Sequence, residues 1–105
     1  MMFDVCREPN ENDKYYIAVS IVIYRELFGK YPDFLKDFEN SAHLGYTTKF
    51  TFLVPGTETM SKLEADMKRH ICETQYEPML RNCENTGDWS NSPFDFSKME
   101  LLRSA

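Results

Sequence analysis

Ten consecutive residues, Tyr15 to Tyr24, read YYIAVSIVIY without a single charge. Such a run must be buried, and its length limits how. It is about half of the ~20 apolar residues that a membrane-spanning helix needs, and Arg25-Glu26 close it. As a helix it would be apolar almost all round, and a small domain rarely surrounds a helix completely. As a strand it alternates. Ile17, Val19, Ile21 and Ile23 line one face, all β-branched, while Tyr16, Ala18, Ser20, Val22 and Tyr24 line the other. The punctuation suits a helix, with Asn12 or Asp13 as cap, Gly29 as stop and Pro32 following. Residue type favours a strand over about 15–24, with both faces at least partly covered.

A lone strand leaves its backbone groups unsatisfied, so partners must exist. Tyr46 to Val54, YTTKFTFLV, supplies one: Phe50, Phe52 and Val54 point one way and Lys49, Thr51 and Leu53 the other, until Pro55-Gly56 stops the run. Phe3 to Cys6 is a shorter candidate. Three segments carry helical signals. In 32–43, Pro32 and Asp33 suit a first turn, and Phe34, Leu35 and Phe38 share a face. In 58–76, opened by Thr57 or Thr59, Met60, Leu63, Met67, Ile71 and Thr74 form one stripe, expected to face the core. Glu58 with Lys62 and Glu64 with Lys68 then lie on the solvent side, and Pro78 ends or kinks the helix. In 93–103, Ser92-Pro93 reads as a cap followed by a first-turn proline, although Phe94, Phe96, Met99, Leu101 and Leu102 spread around the axis.

The expected architecture is therefore a small α+β domain, residues 1–105, with antiparallel strands packed against helices. A polar N-terminal arm, 7–14, precedes the central strand, and a loop, 84–92, leads to the C-terminal helix. With 42% apolar and 14% aromatic residues the chain has ample material for a core.

The formal charge of −5 repels phosphate backbones, which counts against direct nucleic-acid binding. Lys49 to Val54, KFTFLV, resembles the aromatic strand on which RNA-recognition domains stack bases. The glycines of that pattern are missing, and Phe50 and Phe52 read better as core residues. The N-terminus lacks the basic and apolar regions of a secretory signal. Three cysteines, Cys6, Cys72 and Cys83, are an odd number and read as reduced thiols of a cytoplasmic protein.

Chemistry is sparse. His70, Cys72 and Cys83 suggest zinc, yet on a helix His70 and Cys72 stand about 200° apart and cannot share one ion. Asp66 and His70 at i, i+4 make half a triad without a nucleophile. No phosphate loop, dinucleotide fingerprint or nucleophile elbow occurs. No cofactor or metal is expected.

The expected function is thus a non-catalytic protein-binding module, a regulator or inhibitor of a partner with a basic or amphipathic surface. A compact, acidic, motif-free chain also suits a virus-encoded accessory protein. The residues assigned to the contact are Trp89, Phe94, Asp95, Phe96, Met99 and Leu102, aromatic and methionine anchors interleaved with acids. Two alternatives are a subunit of a homodimer or larger homo-oligomer, and a small enzyme or metal protein using His70, Cys72, Cys83 or His43.

Overall fold

The structure, a computed structural model, describes residues 2–27 and 46–104. Strands β1 (Phe3–Arg7), β2 (Tyr15–Tyr24), β3 (Thr47–Leu53) and β4 (Leu101–Ser104) form one antiparallel sheet in that order. Helices α1 (Lys62–Gln75) and α2 (Glu77–Thr86) lie between β3 and β4 in the chain. The α+β architecture is the expected one. The helix expected at 32–43 and its neighbour His43 lie outside the described residues.

The apolar run is a strand, and its register explains why. Val19 stands opposite Phe52 and Ile21 opposite Phe50, while Phe3 flanks Val19 from the other side. The odd-numbered residues of β2 thus share a face with the even-numbered residues of β3. Ile17, Val19, Ile21, Ile23, Phe50, Phe52 and Val54 are all buried there. Full burial of each such side chain stabilises by roughly 1.5–3 kcal/mol. On the opposite face Ser20 and Thr51 are buried too, and their hydroxyls hydrogen-bond across the strands at 2.9 Å. That removes the cost of placing two hydroxyls in the middle of a sheet. Of the polar stretch 7–14, Arg7 belongs to β1 and the rest is a hairpin loop. The Glu8 N–H closes it by donating to the Lys14 carbonyl at 2.8 Å.

The first helix begins later than its pattern suggests, because the first residues of β2 hold the segment before it. Thr57 is buried, and its Oγ1 accepts the Ile17 N–H at 3.2 Å while donating to the Val54 carbonyl at 2.7 Å. Met60 and Tyr15 exchange backbone hydrogen bonds at 2.8 and 3.0 Å. Ser61 is then the N-cap, its Oγ accepting the Glu64 N–H at 3.2 Å. Pro78 kinks the helical stretch where its missing N–H cannot continue the ladder. Tyr76 is both the last cap of α1 and the first of α2.

Two expectations fail toward the C-terminus. The loop does not start at residue 84, because α2 continues to Thr86 and stops at Gly87 with φ of 75°. A Cβ on Gly87 would lie 2.8 Å from the Leu27 carbonyl oxygen, so both the left-handed backbone and the close approach require glycine there. Nor is 93–103 a helix. Ser92 folds back on Phe94 through its hydroxyl, Asp95 caps a single 3-10 turn at Phe96–Lys98, and the chain then becomes β4. The scattered aromatics have no helical stripe to bury. In extended chain Leu101 pairs with Phe52 and Arg103 with Thr51, which completes the outer edge of β3.

One buried charge joins sheet to helices. β1 ends its pairing at Val19, and Ser20 still reaches the Met2 carbonyl. Beyond that point the Val22 N–H faces no strand. Glu84 of α2, only 5% exposed, accepts it at 2.7 Å and pairs with Arg81 at 3.3 Å. Glu84→Ala should cost about 2–3 kcal/mol in urea denaturation, since it orphans a strand amide in a water-poor place. Glu84→Gln keeps an acceptor and should lose visibly less.

Candidate functional site

The helical stretch 62–86 carries two apolar stripes, and the sheet takes only one. Ala65, Arg69, Cys72, Tyr76, Leu80 and Cys83 follow each other at steps of three or four residues, across the kink. Ala65 is 0% and Leu80 0% exposed, Cys72 and Cys83 are buried, and Tyr76 packs half-buried against the core. Arg69, at the boundary, pairs with Glu73 at 3.6 Å. Small side chains on α1 let its backbone lie close to the sheet.

The stripe expected to face inward points outward instead. Leu63, Met67 and Ile71 are 71%, 60% and 47% exposed. Met60, which the pattern placed on the same stripe, is buried with Tyr15 because it precedes the helix. Leu63, Met67 and Ile71 are spaced at i, i+4 and i+8, so they form a continuous ridge along one side of α1. Around them stand Lys62 and Asp66, joined at 2.7 Å, with Glu64, Lys68 and His70.

The residues assigned to the contact in the tail sit mostly in the core. Phe96 is buried, and its ring lies 5.0 Å from Phe52 and 5.8 Å from Trp89. Phe94 packs 5.0 Å from Tyr76 and 6.2 Å from Phe3. Trp89 and Met99 are partly buried against the same cluster. Asp95 and Leu102 alone of the six are exposed, and they do not form a patch with the other four. The Asp95 carboxylate is held below the usual carboxylate range by the Ser97 hydroxyl, which is a capping role. The described tyrosines divide between core and surface. Tyr15 and Tyr76 join the core, Tyr16 and Tyr24 lie on the other sheet face, and exposed Tyr46 donates to Glu26.

His70 is exposed on α1, Cys72 faces the sheet, and Cys83 lines a cavity of about 350 Å3 with Pro78, Met79, Asn82, Asp88 and Asn91. Burial pushes the Cys72 and Cys83 thiols above their ordinary value, and the Asp88 charge adds to this at Cys83. Neutral thiols are poor nucleophiles and poor metal ligands. The Asp88 carboxylate is held low by the Ser90 hydroxyl and amide. Among the described residues no three metal-capable side chains converge. Among the same residues no helix is long and apolar enough to cross a membrane.

No family model, no curated protein and no solved structure matches the chain. The exposed ridge of α1 therefore stands on its own physical properties.

The opposite placement of the two aromatic or aliphatic sets is measurable. Phe96→Ala should destabilise by about 3–5 kcal/mol in chemical denaturation, as for a large core truncation. Leu63→Glu combined with Met67→Glu should leave the melting temperature within about 2 °C of the parent, because neither side chain is buried.

The thiols give a second check. Iodoacetamide at pH 8 should modify half-buried Cys6 well before Cys72 and Cys83, read by mass spectrometry. The raised pKa values also set a sign. Folded thiols stay neutral while unfolded ones ionise above about pH 8.5, so the folded state should lose stability as pH rises from there. A urea midpoint lower at pH 10 than at pH 8 is the expected result.

Proposed function

We propose that this protein is a non-catalytic protein-binding module, and that its contact surface is the outward ridge Leu63-Met67-Ile71 of α1. One observation carries the reading. The helix gives its small residues, Ala65 and Cys72, to the sheet and its large ones to solvent. A helix that only had to cover a core would be turned the other way. Three adjacent large apolar side chains on one exposed ridge, rimmed by charges, have the anatomy of a protein contact.

The chemistry of a partner follows from the rim. Lys62, Lys68 and Arg69 oppose Glu64, Asp66 and Glu73, so α1 itself is balanced although the chain carries −5. An amphipathic helical surface fits this ridge better than a basic one. A regulatory role, in which the module acts by occupying such a surface, is the biological form of the proposal.

Photocrosslinking tests it in the full chain. A photoreactive residue at position 67, in cells that make the protein, should trap protein, and the same residue at position 49 on β3 should not. Adding Leu63→Glu should abolish the adduct without unfolding the domain. Equal trapping from both positions, or none from position 67, overturns the proposal.

A further inference from the structure

We draw no further inference here: the strongest candidate, the exposed Leu63-Met67-Ile71 patch on α1, carries nothing beyond the contact already proposed, because nothing in the structure shows what covers it.

Discussion

The hydrogen bond from the Val22 amide to Glu84 ties the sheet to α2 and fixes which side of that helix faces inward. β1 is too short to cover the whole flank of β2, and the uncovered amide sits where water is scarce. Only an acceptor delivered by another element can satisfy it. Glu84 does so from α2, with Arg81 offsetting its charge. Leu80, one turn before Glu84, shares its inward side of α2, and Cys83 is buried between them. The phase then propagates through Tyr76 into α1, where Cys72, Arg69 and Ala65 face the sheet. Leu63, Met67 and Ile71 have nowhere to point but outward.

This coupling links the buried face of the helices to the ridge proposed as a contact. The aromatic residues of the tail, which resemble a contact surface when read in isolation, close the far end of the core. Trp89, Phe94 and Phe96 bring their rings together over Phe52, Tyr76 and Phe3. A domain of this size needs such large side chains inside, since its ratio of surface to volume leaves little apolar area to waste. Of the large apolar side chains exposed among the described residues, Leu63, Met67 and Ile71 lie together on α1, while Leu27, Tyr46, Met79 and Leu102 lie elsewhere.

Some of this was legible along the chain. The alternation in Ile17, Val19, Ile21 and Ile23 identified β2, and Phe50, Phe52 and Val54 identified β3, because a period of two with β-branched and aromatic residues has a local cause. Pro78 marked the kink for an equally local reason. Ser61 and Glu64 form a serine-x-x-glutamate pattern that marks the true start of α1, a local signal that an opening at Thr57 or Thr59 passes over. The outward ridge of α1 was visible as a stripe, but placed on the wrong side.

Local chemistry therefore decided which segments extend, where the helices cap and kink, and which side chains could not stay in water. It could not decide which of two stripes on one helix meets the sheet, since both have the same period and hydrophobicity alone favoured Leu63, Met67 and Ile71 over the smaller Ala65 and Cys72 that the sheet took. It also could not turn 93–103 into a strand, because the free edge of β3 that recruits it is built from residues some fifty positions away. Those outcomes belong to tertiary structure, where unsatisfied amides and sheet edges far apart in the chain compete for the same partners.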